Sequence, residues 1–217
     1  MIPVRALVFV LACCVGFAQH VAVESGNIVY TDHERATHRL TDSGRDTEPA
    51  LSVDGTSVAF VRAVREVPGI GVPLVTESEL WIVETDHHSN PKRVYAGPAT
   101  MPDGRQSNAF TTPKFSLNKR YLYFLSDYSA TSAALFRLDV MSGATRFLSP
   151  AHEYDVLQSG RHRGSIIASI RTTSEPDSDG VTYPVYPYFM LDENGRKLSR
   201  VADQNAKLAD VVSSLQH

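Results

Sequence analysis

The sequence predicts an all-β protein assembled from repeated four-stranded units and finished by a short C-terminal helix. Three observations carry that prediction: a duplicated block, apolar runs too short for helices, and turn chemistry between them. Residues 48–61 read EPALSVDGTSVAFV and residues 112–125 read TPKFSLNKRYLYFL. Pro49 aligns with Pro113, Ser52 with Ser116, Asp54 with Asn118, Gly55 with Lys119 and Phe60 with Phe124, each pair 64 residues apart. Self-similarity at a fixed offset is the mark of stacked units, none of which can bury its apolar face alone.

From the N-terminus, MIPVRALVFVLACCVGFAQH holds one basic residue, Arg5, and then an uncharged apolar run from Ala6 to Ala18. A membrane-spanning helix needs about 20 residues, so this run is too short to be one. It has the length of a signal-peptide core, and Gly16 and Ala18 supply the small residues for a cut before Gln19. The expectation for 1–18 is an export signal, and hence a periplasmic or secreted protein. Val10-Leu11-Ala12-Cys13 offers a second reading, a lipoprotein signal cut before Cys13 that leaves a lipid-anchored protein. Cys13 and Cys14 are the two cysteines of the sequence. Removal of 1–18 therefore leaves no thiol for a disulfide, a Cys-ligated zinc or a nucleophile.

Residues 19–201 carry the repeats. A partial unit leads, with Gly26-Asn27-Ile28-Val29-Tyr30 and then Arg39-Leu40-Thr41. In the first full unit, Pro49 favours an extended residue before it and cannot sit in a central ladder. Ser52-Val53-Asp54-Gly55 is turn chemistry, the Asp bonding backbone ahead of it and the Gly accepting positive φ. Val58-Ala59-Phe60-Val61 and Tyr121-Leu122-Tyr123-Phe124-Leu125 are continuous apolar runs, as expected of strands buried on both faces. Leu80-Trp81-Ile82-Val83 and Leu135-Phe136-Arg137-Leu138 follow as third strands, with Trp81 and Phe136 in register as core residues. KRVYAG at 92–97 and TRFLSP at 145–150 close the two units. A weaker third unit holds Ile166–Ile170, Tyr188–Asp192 and Lys197–Arg200. Together these make about ten strand candidates, roughly two and a half to three and a half four-stranded units. In 202–217, Leu208, Val211, Val212 and Leu215 fall on one helical face, with Asp203 as the expected N-cap. The helix is expected to cover a blade edge or the propeller floor, the alternative being a detached partner-binding helix.

The run RLTDSGRDTEPALSVDGTSVAFVR at 39–62, followed by ELWIVETD, resembles the TolB-type (WD-like) β-propeller repeat. Arg39, Leu40, Thr41, Gly44, Asp46, Pro49, Ser52, Asp54, Gly55, Ala59 and Phe60 match its pattern, while Val53 stands where the family has a turn proline. The match is strong over 39–86, fair over 113–148 and poor beyond 155. The resemblance implies a propeller, and propellers close with about 4–8 blades. Three units make an open arc, a shortened relative, or a chain that completes itself by association.

Composition limits the function classes. The chain has 217 residues, 42% hydrophobic and 21% charged, with a formal net charge of −3. Nucleic-acid domains carry a basic excess, so a nucleic-acid partner is not expected. No Gly-x-Ser-x-Gly elbow, phosphate loop, dinucleotide turn or His-Glu-x-x-His pair occurs. The eight histidines are scattered, with His33 and His38 around one turn, His87-His88 in another, and His152 and His162 bracketing the third unit. Asp177-Ser178-Asp179-Gly180 opens like a calcium loop but lacks the later ligands, and reads as a turn. Asp46 and Asp54 read as turn caps and strand ties. No catalytic residue, metal site or cofactor is predicted.

What remains points to recognition. The connections at 62–78 and 96–112 are long, and insertions in repeat proteins collect on the binding face. The Pro-spaced cluster Tyr183, Tyr186 and Tyr188, together with Arg105, is the candidate binding surface, the other reading of the tyrosines being a stiff loop that enters a strand. The sequence thus predicts an exported, non-catalytic binding or scaffold protein of the cell envelope. Its expected contacts are a protein partner or a second copy, with no transmembrane span. The alternative is a propeller enzyme, or the accessory propeller of a hydrolase, acting on peptides or sugars.

Overall fold

The computed structural model describes residues 18–67, 75–86, 88–129 and 132–217. The predicted export signal, Ala18 apart, lies outside the described residues, and so do Cys13, Cys14 and His87.

Four antiparallel sheets follow one another along the chain. The first contains β1 (His20–Glu24), β2 (Asn27–Thr31) and β3 (Thr37–Arg39). The second contains β4 (Asp46–Leu51), β5 (Ser57–Val67), β6 (Val75–Glu84) and β7 (Lys92–Tyr95). A short ribbon of β8 (Ala99–Thr100) and β9 (Gln106–Ser107) leads to the third, which contains β10 (Phe110–Phe115), β11 (Tyr121–Ser129), β12 (Ser132–Asp139) and β13 (Thr145–Ala151). The fourth starts with β14 (Tyr154–Val156) and β15 (Ile166–Ser169). It then detours through the ribbon β16 (Thr172–Thr173) and β17 (Pro184–Val185) before β18 (Tyr188–Leu191) and β19 (Lys197–Ala202). Helix α1 (Leu208–Leu215) ends the described chain. The full sheets are up-and-down meanders, the blades of an open β-propeller arc, and no sheet closes on itself among the described residues.

An aspartate at the turn into the last strand marks equivalent positions in all four sheets. The Oδ1 atoms of Asp32, Asp86, Asp139 and Asp192 each accept two backbone N–H bonds from the residues ahead, at 2.8–3.2 Å. This is the Asx-turn that holds a tight reversal without a glycine at its first position. It makes β2 the counterpart of β6, β12 and β18, and therefore β1 the counterpart of β5, β11 and β15. Among the described residues, the first sheet is a blade without an innermost strand.

Alternate side chains of the central strands enter different interfaces, which is why their sequences are apolar without interruption. Val58 and Phe60 pack with Ile28, Tyr30 and Leu40 of the first sheet. Ala59 and Val61 face the other way, against Phe115, Leu122, Phe124 and Phe136. Tyr121, Tyr123 and Leu125 then meet Tyr154, Val156, Ile166 and Ala168. Ile167 and Met190 are covered by Val211 of α1. Phe60, Leu80, Leu122 and Ile167 are fully buried, and each such side chain stabilises the stack by about 1.5–3 kcal/mol.

Three sequence expectations are corrected. Within the long connection expected at 62–78, residues 62–67 and 75–78 are strand: β5 and β6 stay paired as far as Val67 and Val75, with Arg65 and Glu77 joined at 2.6 Å. In 96–112, Ala99, Met101 and Phe110 are core residues between the second and third sheets. Asp203 does not cap the helix, which starts after Lys207 without a side-chain cap. Its carboxylate is taken by Arg200, and its carbonyl accepts the Ala206 N–H at 3.1 Å, closing a separate turn.

Candidate functional site

The innermost strands β4, β10 and β14 lie side by side and border a cleft of about 520 Å³. Their first two members repeat the same local distortion. Pro49 and Pro113 remove a ladder donor from each strand, and both strands bulge there, between Thr47 and Ala50 and between Thr111 and Lys114. The residue before each proline takes a left-handed conformation, with φ +51° at Glu48 and +48° at Thr112. Such backbone costs about 1–3 kcal/mol outside glycine and persists only where the surroundings hold it.

The surroundings do hold it. The Glu48 carboxylate accepts the Thr112 N–H, and the Tyr154 hydroxyl donates to the Thr112 carbonyl at 2.5 Å. The backbone of one residue on β10 is thus gripped from the blades on both sides. Tyr154 is 3% exposed, and burial pushes its hydroxyl well above the ordinary tyrosine range, so it stays a neutral donor. Next to it, Lys114 Nζ meets Asp155 Oδ1 at 2.7 Å, with both side chains about one-third exposed. Pro49, Leu51, Pro113 and Phe115 supply apolar wall between these polar groups. The cleft can meet apolar side chains and backbone donors or acceptors together.

The repeat residues singled out in the sequence build the frame of this cleft. Ser52 Oγ donates to Asp54 Oδ1 at 2.6 Å and accepts the Ser57 N–H at 3.0 Å. Ser116 and Asn118 repeat the arrangement at 2.9 Å, with Ser116 accepting from Tyr121. Lys119 stands at φ +57° where the earlier turn has Gly55 at +69°, and its ammonium reaches Asp54 at 2.9 Å. The Ser52 hydroxyl, then Lys119, hold the Asp54 carboxyl far below its ordinary range. Asp46 is fully buried and takes both forks of the Arg62 guanidinium at 2.6 and 3.0 Å. Burial alone would raise the Asp46 carboxyl, yet Arg62, Thr41 and Ser43 bring it below the usual value. Trp81 is half-buried, stacked beside Phe60 with Arg62 4.1 Å above its ring. Phe136 lies at the centre of the stack, stacked on Phe124 at 5.5 Å.

The expected tyrosine surface divides. Tyr183 is 55% exposed and donates to Asp177 at 3.2 Å. Tyr186 is half-buried with its ring 5.0 Å from that of His152. Tyr188 is not a surface residue: alternation along β18 sets it beside Met190 and beneath α1, 3% exposed, with its hydroxyl on Glu153. Arg105 is exposed near the tip of the β8–β9 ribbon, its Nε donating to Asp103 at 2.8 Å. In the 177–180 turn, Asp177 Oδ1 accepts from Asp179 and Val181, both at 2.9 Å. Among the described residues, no three His, Cys, Asp or Glu side chains converge to hold a metal ion.

In a four-stranded meander, second-to-third connections and blade-to-blade connections leave at the same end. The β5–β6 extension, the β8–β9 ribbon and the β16–β17 detour therefore gather on one face. Glu48, Thr112, Lys114, Tyr154 and Asp155 escaped the sequence reading, although the 64-residue offset that pairs Pro49 with Pro113 also pairs Glu48 with Thr112.

No protein-family model matches the chain, and no curated protein sequence matches it. Solved structures do resemble it. The oligogalacturonate lyase in complex with manganese is 13% identical, with a TM-score of 0.50 over 83% of this chain and 43% of the lyase. The β-propeller domain of the Trilobed protease from Pyrococcus furiosus is 14% identical, with a TM-score of 0.47 over 80% of this chain and 48% of that one. Dipeptidyl peptidase 4 of Porphyromonas gingivalis is also 14% identical, with a TM-score of 0.48 over 85% and 31%. The chain spans less than half the length of each of these proteins, and the likeness concerns the fold. Among the described residues, no helix is long and apolar enough to cross a membrane.

Proposed function

We propose that the protein is an exported, non-catalytic recognition module of the cell envelope, built from TolB-like repeats, which holds an extended peptide segment of a protein partner. The cleft between β4, β10 and β14 carries this reading. Its walls alternate apolar residues, Pro49, Leu51, Pro113 and Phe115, with the Lys114–Asp155 pair and the Glu48 carboxylate. A peptide offers apolar side chains and backbone polar groups at the same spacing, so it suits such a lining. The gathering of three excursions on one face supports the same reading, because insertions on repeat folds enlarge a binding surface.

A library of fluorescent hexapeptides, followed by anisotropy, tests it. Binding with a dissociation constant on the order of 1–100 μM is expected for the best sequences. Lys114→Ala or Lys114→Glu weakens that binding at least about tenfold, equivalent to 1.4 kcal/mol, whereas Met141→Ala, at a 90% exposed position, leaves it unchanged. Absence of peptide binding up to about 1 mM, or indifference to Lys114→Glu in a folded variant, removes the proposal. Cleavage of a bound peptide, or preference for an oligosaccharide, supports instead the accessory propeller of a hydrolase.

A further inference from the structure

Among the described residues, the first sheet has no innermost strand, and β1 is its edge. No described strand pairs with its inner side. The inner edges of the next two blades are blunted by Pro49 and Pro113 and by a bulge in each, the usual defence against unwanted strand pairing. β1 has no such device. His20-Val21-Ala22-Val23-Glu24 contains neither proline nor lysine, and it pairs with β2 in unbroken register. Val23 is 41% exposed although it shares a face with the buried Ile28 and Tyr30.

We infer that β1 is a self-pairing edge: two copies of the chain join antiparallel through β1, about a two-fold axis at Ala22. The sequence is self-complementary in that arrangement. His20 falls opposite Glu24 of the second copy, Val21 opposite Val23, and Ala22 opposite Ala22. An imidazole N–H thus meets a carboxylate at each end, and directly opposed pairs of this kind are favourable in antiparallel sheets. Val21 and Val23 carry the apolar layer of Ile28 and Tyr30 from one sheet into the other. The contact is isologous, so it closes at two copies and leaves no free edge to propagate. It is independent of the peptide cleft, whose residues lie on other strands.

Sedimentation equilibrium of the purified protein from about 1 to 500 μM tests the inference. Five paired residues per copy are far fewer than the about 20–30 a side of a standard interface, so a reversible dimer in the 10–100 μM range is expected. His20→Glu sets two carboxylates opposite one another and weakens association at least tenfold. The double exchange of His20→Glu with Glu24→His rebuilds the same complementarity and restores association to within about threefold, with an unchanged thermal midpoint. Amide hydrogens of β1 gain protection only at concentrations where the dimer forms. A wild-type mass that stays monomeric throughout, a His20→Glu variant that associates like wild type, or a folded double exchange that does not recover overturns the proposal. Protection of β1 in the dilute monomer does so too, because the slot is then filled by the chain itself.

Discussion

Replacement of Asp46 by alanine measures how firmly the inner strand of the second blade is tied to its neighbour. Asp46 and Arg62 are cross-strand partners on β4 and β5, and Asp46 has no exposed surface. Losing one member of a buried ion pair costs about 3–5 kcal/mol, because the remaining charge is left without compensation. Arg62 keeps 15% of its side chain exposed and rests on the Trp81 ring, so part of its charge can turn to water. The expected loss is therefore about 2–3 kcal/mol. For a chain of this size, each kcal/mol moves the midpoint by about 2–4 °C, so Asp46→Ala lowers it by roughly 4–12 °C at pH 7. Calorimetry is the direct assay. The pair adds a pH signature as well. The folded carboxyl lies below its usual value, so its contribution is complete above the unfolded carboxylate range and is lost as pH falls through the folded value. The gap between wild type and variant should therefore narrow below about pH 4. A drop of less than about 2 °C at pH 7, or a gap that is constant down to pH 2, refutes the assignment of Asp46 as a strand tie.

Other perturbations probe the cleft and the stack. Tyr154→Phe leaves the Thr112 carbonyl without its 2.5 Å donor and should cost about 1–3 kcal/mol in urea unfolding, with the slope unchanged. Phe124→Ala empties a fully buried site between the second and third blades, and a loss of about 3–5 kcal/mol is expected by the same assay. Gly195→Ala places a methyl group within 2.9 Å of the Leu148 backbone at a φ of +82°. A loss above about 1 kcal/mol in thermal melts is expected, because strain and collision act together.

The blades were legible where burial and turn chemistry act locally. Val58–Val61 and Tyr121–Leu125 read as strands because both faces of each are covered, which removes the polar alternation of a one-sided sheet. Asp54-Gly55 and Asn118-Lys119 read as turns because their side chains and φ values satisfy their own backbone. A stronger repeat went unused: Asp32, Asp86, Asp139 and Asp192 recur at intervals of 54, 53 and 53 residues, and they number the sheets directly. Tyr188 was misjudged because its Pro-spaced tyrosine neighbours suggest a surface, whereas its burial depends on α1 lying over β18. The length of β5 and β6 was hidden for a related reason. Arg65 and Glu77 are ordinary polar residues until the register sets them side by side.

The class of fold, the turns that reverse the chain and the segments that lie in the core are readable from the order of residues, since each follows from interactions within a few residues or from a two-sided apolar pattern. Which side chains meet around the cleft depends on how the blades stack. Glu48, Thr112 and the Lys114–Asp155 pair, with the buried Tyr154 behind them, come from three strands that do not pair with one another, and blade stacking alone brings them within bonding distance. The same stacking shows that no described strand pairs with the inner edge of β1, because a repeat position is recognised only against those its neighbours fill.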